Sequence, residues 1–189
     1  MVRSPRLTVL CAVAALAAAG CGATAETGPE KAVTDEGQYL EVGGLKYQVQ
    51  ISRELNPSDN EDRGYLVGLP SGTPTQPSPG EIWFAVFMRV QNDGDRAEPA
   101  TSDYMITDTQ NNTFRPVPLS GQNVFAYRPR TLQPGDLIPI PDSAAASDPI
   151  QGSLILFKLK TDDLQNRPLT LHISQGGASG QSAAVELDL

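Results

Sequence analysis

The single histidine is the first residue to test for chemistry, because histidine is the side chain best suited to acid–base catalysis near neutral pH. His172 alternates with Leu171 and Ile173, so in a strand its ring points away from their apolar face. The run Gly68–Gly72 (GLPSG) has its serine one place too late for a nucleophile elbow. One histidine also excludes a multi-histidine metal site. These residues indicate an ordinary strand histidine, no catalytic residue and no cofactor.

Acidic residues are numerous, and two loop segments gather several of them. Asp59–Asp62 and Asp93–Asp95 offer oxygen ligands, but neither has the spacing of an EF-hand calcium loop, and turn formation explains both. A pair of carboxylates could support glycoside hydrolysis, yet the sequence singles out no pair among 22 Asp and Glu residues. A hydrolase or an ion-dependent accessory enzyme that uses loop carboxylates therefore stays open as an alternative function.

One local cluster combines positive charge with an aromatic ring. It consists of Arg115, Tyr127, Arg128 and Arg130. Guanidinium groups recognise carboxylates, so on a chain of net charge −8 this cluster is a candidate docking spot for an acidic partner. A solvated loop with unconnected arginines is the alternative interpretation. Tyr65, in a short apolar run, is a further candidate contact. The same acidity argues against nucleic-acid binding.

The first 20 residues have the pattern of an export signal. Arg3 and Arg6 supply a positive region, and Leu7–Ala19 is uncharged and apolar. That apolar stretch is shorter than the roughly 20 residues that a membrane-spanning helix needs. Residues 1–20 are therefore predicted to be a cleavable signal peptide.

The residues around Cys21 refine this prediction. Ala18-Ala19-Gly20-Cys21 resembles the lipobox of bacterial lipoproteins. The resemblance implies cleavage between Gly20 and Cys21, acylation of Cys21, and an extracytoplasmic protein on the cell membrane. Cleavage within Gly22–Ala25, which would release a soluble protein, remains the alternative. An acidic body is repelled by anionic lipid, so membrane contact is expected through acylated Cys21 only.

The rest of the chain is predicted to be one β-rich domain, residues 38–189, after a lipidated flexible tether, residues 21–37. With 39% hydrophobic residues, 17 glycines and 16 prolines, the composition fits one domain with many turns. Leu45, Tyr47, Val49 and Ile51 alternate with polar residues after a Gly-Gly pair, which predicts a hairpin.

Glu81–Asn92 is predicted to be a central strand covered on both faces over its first half, with Trp83, Phe84, Phe87 and Phe157 in the core. Further strands are predicted at 103–107, 113–117, 123–127, 152–160, 168–174 and 183–189, and a single helical turn at 161–164.

Two long connections, 52–79 and 128–149, exceed the usual loop length. They are either binding loops or mobile insertions. The apolar run 65–69 within the first is a candidate edge strand.

Several segments, taken in order, resemble the telokin-like, immunoglobulin-type domain of Gram-positive exported lipoproteins, a family that includes secreted mycobacterial antigens. They are Leu40–Val49, Pro79–Asn92, Ser102–Asp108, Asn112–Pro116 and Leu132–Gly135. The resemblance implies an all-β, immunoglobulin-like antiparallel β-sandwich of about seven to nine strands. It supplies no catalytic residue.

The sequence thus predicts a non-enzymatic, lipid-anchored extracytoplasmic module that binds an envelope protein or a wall polymer of unknown identity. Besides the hydrolase, a passive surface spacer or antigen without a specific ligand is the alternative function.

Overall fold

The computed structural model of the protein describes residues 31–176 and 180–187, and these form two packed five-stranded β-sheets, a small two-stranded sheet and short helical segments. The strands are β1 (Lys31–Asp35), β2 (Tyr39–Val42), β3 (Leu45–Leu55), β4 (Glu81–Gln91), β5 (Glu98–Pro99), β6 (Asp103–Thr107), β7 (Thr113–Phe114), β8 (Thr131–Leu132), β9 (Leu137–Ile138), β10 (Ser153–Lys160), β11 (Leu169–Ser174) and β12 (Ser182–Leu187). The helices are α1 (Asn60–Tyr65) and α2 (Ala144–Ser147), and a 3₁₀ turn occupies Thr161–Gln165.

The first sheet has the strand order β1-β12-β11-β6-β7, and the second has the order β10-β4-β3-β2, with β9 also paired to β4. Alternate residues of the two sheets meet in one large apolar core, as the period of two requires. The predicted all-β sandwich is therefore confirmed. One strand pairing departs from the antiparallel prediction, because β1 runs parallel to β12, and the isolated bridge between Ala126 and Leu154 is also parallel.

The central strand β4 is buried on both faces, as predicted. Ile82–Met88 are all buried, and β4 lies between β10 and β3. Phe84 and its alternate neighbours face the first sheet. Trp83 and Phe87 face the opposite way, into a second apolar cluster.

A β-bulge in β3 supplies this second cluster with a residue from the neighbouring strand. The register of β3 against β4 shifts between Val49 and Ile51. Because one extra residue reverses which face each side chain occupies, Leu55 lies opposite Trp83 in the second cluster. Ile51, predicted to share the face of Val49, is instead 38% exposed.

The long connections cover the outer face of the second sheet, and we call them the outer layer (residues 56–80 and 115–150). The layer contributes Tyr65, Leu66, Leu69, Val117, Leu119, Phe125 and Ile150 to the second cluster. The connections predicted at 52–79 and 128–149 both contain regular secondary structure. The first contains the end of β3 and helix α1, and the second contains β8, β9 and α2. Covering β4 on its second side explains the length of the first connection, whereas the second contributes Leu132 and Ile138 to the large core between the sheets.

Helix α1 ends at Tyr65, where the predicted edge strand 65–69 would begin, and a turn follows in place of that strand. Asp59 caps it by accepting hydrogen bonds from the backbone N–H groups of Glu61 and Asp62. The buried carboxylate of Asp62 accepts hydrogen bonds from Arg53 of β3 (3.2 Å) and from the backbone N–H of Asn56 (2.6 Å). These bonds fasten the helix to the sheet.

Three boundaries also differ from the prediction. The predicted tether extends too far, because Lys31–Asp35 forms the edge strand β1, whose main chain pairs with β12. Only the first two residues of the predicted strand 113–117 are strand, as β7. The predicted strand 123–127 makes one isolated bridge, between Ala126 and Leu154.

A buried aspartate organises the turn between β6 and β7. Asp108 accepts hydrogen bonds from the backbone N–H groups of Gln110 and Asn112 (2.9 Å each) and from the side-chain amide of Asn166 (2.9 Å). Burial acts to raise the pKa of Asp108, but the hydrogen bonds from Asn112 and Asn166 outweigh it, and the pKa is lowered. The charged carboxylate therefore stabilises this turn.

Candidate functional site

Three adjoining clefts form a groove along the β10 side of the sandwich, and we call them clefts 1, 2 and 3. Their volumes are about 320, 130 and 280 Å³. Ala126 and Arg128 line both cleft 1 and cleft 2, and Pro139 lines both cleft 2 and cleft 3. Neighbouring clefts therefore share walls along this side of the sandwich.

The groove exists because the outer layer covers the edge of β10 only in part. The N–H of Val117 donates to the carbonyl of Leu156 (2.7 Å), and the N–H of Tyr127 donates to the carbonyl of Leu154 (2.8 Å). Pro116, Pro118 and Pro129 flank these points and line cleft 1. Because proline has no N–H to donate, the covering segments cannot pair with β10 at these prolines, and they diverge from its edge there.

The wall of cleft 1 contains two tyrosines in edge-to-face contact. The ring centroids of Tyr104 and Tyr127 lie 5.3 Å apart at an interplanar angle of 86°. The hydroxyl of Tyr127 donates to the carbonyl of Thr101 (2.9 Å), and burial raises the pKa of both tyrosines. Tyr127 therefore offers its uncharged ring to the cleft and uses its hydroxyl inside the protein.

The three arginines of the predicted cluster have different partners. Arg115 pairs with Asp103 (2.7 Å) and lies next to cleft 1 without lining it. Arg130 lines cleft 2 and pairs with Asp136 (2.8 Å), whose pKa this hydrogen bond lowers.

Arg128 is the member of the cluster whose charge is not matched by a carboxylate. Its guanidinium donates to the carbonyls of Leu119 (2.8 Å) and Ser120, and within residues 31–176 and 180–187 it forms no ion pair. Arg128 is exposed and lines clefts 1 and 2. It is therefore the cation best placed to meet an acidic group in the groove.

Tyr65, the fifth predicted contact, is not accessible to a partner. It is 1% exposed, and its ring lies edge-to-face with Phe87 (5.0 Å) and Phe125 (4.9 Å). Its hydroxyl donates to a carboxylate oxygen of Asp148, and burial is the main reason that its pKa is raised. The prediction that Tyr65 contacts a partner was wrong, because the apolar run around Tyr65 packs into the second cluster.

Two exposed apolar residues of the groove were missed by the sequence reasoning. Val124 is 64% exposed and Ile140 is 57% exposed, and both line cleft 2. The only sequence signal for their exposure is that each is a β-branched apolar residue inside a connection, Val124 after polar residues and Ile140 between two prolines. Exposed apolar side chains beside a cation are typical of an interaction surface.

The remaining candidates for chemistry lie apart from the groove. His172 is half-buried on β11, with Nε2 2.8 Å from Oγ1 of Thr107, and its face of the strand is the one predicted. Asp93 pairs with Lys46 (2.8 Å). Throughout residues 31–176 and 180–187, no group of three or more His, Cys, Asp or Glu side chains could hold a metal ion.

The predicted cleavage and lipidation residues, Gly20 and Cys21, lie outside the described residues. Within the part of the chain that the structure describes, no helix is long and apolar enough to cross a membrane.

Neither a protein-family profile nor a curated protein sequence matches the chain. Its structure is similar to that of the yjhA protein from Bacillus subtilis, with a TM-score of 0.52 and 13% identity over 82% of this chain and 100% of that chain. An uncharacterized β-sandwich protein from Clostridium difficile 630 has a TM-score of 0.43 and 9% identity over 85% of this chain and 99% of that chain.

The first of these similarities, together with the sheet topology, defines the chain as a β-sandwich protein. The finer resemblance to the telokin-like domain of exported lipoproteins stays a prediction from the sequence.

Proposed function

We propose that this protein is a non-enzymatic, lipid-anchored module on the extracytoplasmic face of the cell membrane, and that its groove binds an extended segment of an envelope protein. The observation that carries the proposal is the groove itself. It joins exposed apolar residues to Arg128, a cation without a carboxylate partner among the described residues. A segment with apolar side chains and one acidic group complements these features.

The apolar contribution to binding comes from cleft 2. Full burial of Val124 and Ile140 would contribute on the order of 2–4 kcal/mol, given that both are more than half exposed. This is too little for tight binding by itself, because association also carries an entropic cost. The proline- and tyrosine-lined cleft 1 and the charge of Arg128 supply the rest.

The charge distribution supports an acidic group on the ligand. The protein has a net charge of −8, so most of its surface repels anions. Arg128 and Arg130 concentrate positive charge at cleft 2, and only Arg130 has a carboxylate partner among the described residues. An acidic ligand is therefore directed to Arg128.

Site-specific photo-crosslinking in intact cells tests the binding surface. A photoreactive residue at Val124 should capture a specific envelope protein, whereas the same residue at Tyr39, which is 48% exposed on β2, should not. Arg128→Gln should reduce the capture at Val124 at least severalfold. Equal capture at both positions, or none at Val124, would contradict a protein-binding groove. Capture of wall polymer instead would show that the groove binds a different kind of ligand.

The anchor has a separate test with a matched control. Cys21→Ser should move the protein out of the membrane fraction, because acylation requires the Cys21 sulfur. Cys11→Ser should leave it there, since Cys11 belongs to the predicted signal peptide. Retention of the Cys21→Ser variant in the membrane would refute lipid anchoring.

A further inference from the structure

Arg89 occupies a place in the second sheet where the outer face changes from apolar to polar. Along β4, Trp83, Ala85 and Phe87 face the second cluster, and Arg89 follows them with the same alternation. It is partly buried and lines cleft 3.

The guanidinium of Arg89 has no partner among the described residues. Its Nε is buried without a hydrogen-bond acceptor, and the side chain forms no ion pair. Asp142 lines the same cleft but is not within ion-pair distance. Gln48, opposite Arg89 on β3, donates to the carbonyl of Gly37 (2.7 Å) and accepts from Gln50 (2.6 Å).

Arginines with a purely structural role in this protein look different. Arg53 pairs with Asp62, and Arg130 pairs with Asp136 and donates to the backbone carbonyl of Leu137 (3.0 Å). Arg89 holds no backbone carbonyl and no carboxylate within the described ranges. A buried donor without an acceptor costs about 1–3 kcal/mol. The Nε of Arg130 also lacks an acceptor, but both Nη groups of Arg130 have partners, so what distinguishes Arg89 is that its whole guanidinium lacks a partner within the described ranges.

We propose that cleft 3 is a binding site for an oxyanion, a carboxylate or phosphate group, and that Arg89 is its principal ligand-binding residue. The planar guanidinium presents parallel N–H groups that match two oxygens of such an anion. Gln151 and Ser147 line the same cleft and add an amide and a hydroxyl as further donors. The proposal depends on Arg89 alone, and it does not require the groove to bind a protein.

The test is a titration of the purified full-length protein, labelled with ¹⁵N, at constant ionic strength in chloride. Inorganic phosphate and acetate are the probes, and the Nε–H resonance of Arg89, identified by its disappearance in Arg89→Gln, is the readout. A saturable shift of this resonance is expected with at least one probe. The probe that binds more tightly identifies the class of anion.

Variants separate a site from general electrostatic attraction. Arg89→Gln should weaken the apparent affinity, followed by backbone amides of cleft 3, by about tenfold, the effect of losing one charge-assisted hydrogen-bonded pair. Arg63→Gln, which removes the same charge from an exposed position on helix α1, should leave the affinity unchanged. Arg89→Lys keeps the charge and should bind more weakly than the wild type.

Two results would overturn the proposal. One is a shift that does not saturate with either probe, and the other is an equal loss of affinity in Arg63→Gln and Arg89→Gln. If Arg89→Gln does not fold, the affinity of Arg89→Lys is compared with that of the wild type instead, and equal affinities would overturn the proposal. Failure here would leave crosslinking at Val124 unaffected, so the two proposals are tested independently.

Discussion

Replacing Tyr65 by alanine tests whether the outer layer forms a second core or only rests on the sheet. Tyr65 ends helix α1, is 1% exposed, and contacts the rings of Phe87 and Phe125. Its removal would open a cavity between the layer and β4. We therefore predict a large loss of stability. A residue in a loop that only rested on the sheet would tolerate the same substitution.

The size of the loss follows from the burial and the contacts of the ring. An aromatic side chain buries roughly 150–250 Å², which at about 25 cal/mol per Å² corresponds to an upper limit near 4–6 kcal/mol. Buried aromatic-to-alanine substitutions cost about 3–5 kcal/mol. We therefore expect Tyr65→Ala to lower the free energy of unfolding by about 3–5 kcal/mol, equivalent to a Tm lower by roughly 6–20 °C.

Urea-induced unfolding of the purified protein measures this free energy, and the chain contains a matched control. Tyr39→Ala makes the same chemical change at a residue that is 48% exposed, so it should cost about 1 kcal/mol or less. Tyr65→Phe removes only the hydroxyl that donates to Asp148, and it should cost about 1 kcal/mol.

A difference of less than about 1 kcal/mol between the unfolding free energies of Tyr65→Ala and Tyr39→Ala, far below the cost of a core cavity, would refute this prediction. That result would mean that the outer layer does not seal the second face of β4. A smaller m-value for Tyr65→Ala with the same midpoint would instead mean that the substitution changes how much surface is exposed on unfolding.

Three further outcomes are expected. Gly152→Ala would place its Cβ 2.9 Å from the Cβ of Phe87 and should cost about 1–3 kcal/mol in thermal unfolding, whereas Gly121→Ala, with nothing within 4 Å, should be nearly neutral. The lowered pKa of Asp108 means that its carboxylate stabilises the protein above the unfolded-state pKa, and that this stability is lost as pH falls through the folded-state pKa. Asp108→Asn should therefore flatten the acid limb of the stability profile. Trp83, the one tryptophan, is 0% exposed, so its native emission should be blue-shifted and protected from iodide quenching; ready quenching would contradict the cover.

Local patterns were sufficient to predict the strands of the sandwich. Alternation and turn residues predicted β4, β6, β10 and β11 to within one or two residues, and the Gly-Gly pair predicted the β2–β3 hairpin. These features depend on neighbours in sequence, because a strand with one buried face must alternate and a tight turn requires residues that tolerate positive φ. Gly43 (φ 59°) and Gly44 (φ 79°) meet that requirement.

The outer layer could not be predicted in the same way, because its structure depends on a distant strand. The sequence showed that Trp83 and Phe87 make the second face of β4 apolar, but not which segment covers that face. The six-residue helix α1 is too short to show a helical period, and its cap at Asp59 was interpreted as a turn. The bulge that turns Leu55 outward leaves no local signature either.

The candidate site was predicted in part for a similar reason. Tyr127, Arg128 and Arg130 are close in sequence, so a groove beside this segment necessarily contains some of them. Which arginine lacks a carboxylate depends on where Asp103 and Asp136 lie after folding. Arg89 was overlooked because, in sequence, it is simply the polar end of a buried strand.

Arg128 belongs both to the outer layer and to the proposed binding surface. It has enough N–H donors to bind the backbone of the layer and a ligand at the same time. A guanidinium has five N–H donors, and Arg128 uses only two of its groups, Nη1 and Nη2, on the carbonyls of Leu119 and Ser120. A ligand carboxylate could therefore bind without displacing either carbonyl. Because Arg128 is exposed, Arg128→Gln should lower stability by about 1 kcal/mol or less while reducing capture at Val124 severalfold. A loss of stability as large as that of Tyr65→Ala would instead identify Arg128 as part of the cover, and the reduced capture would then reflect a disrupted groove.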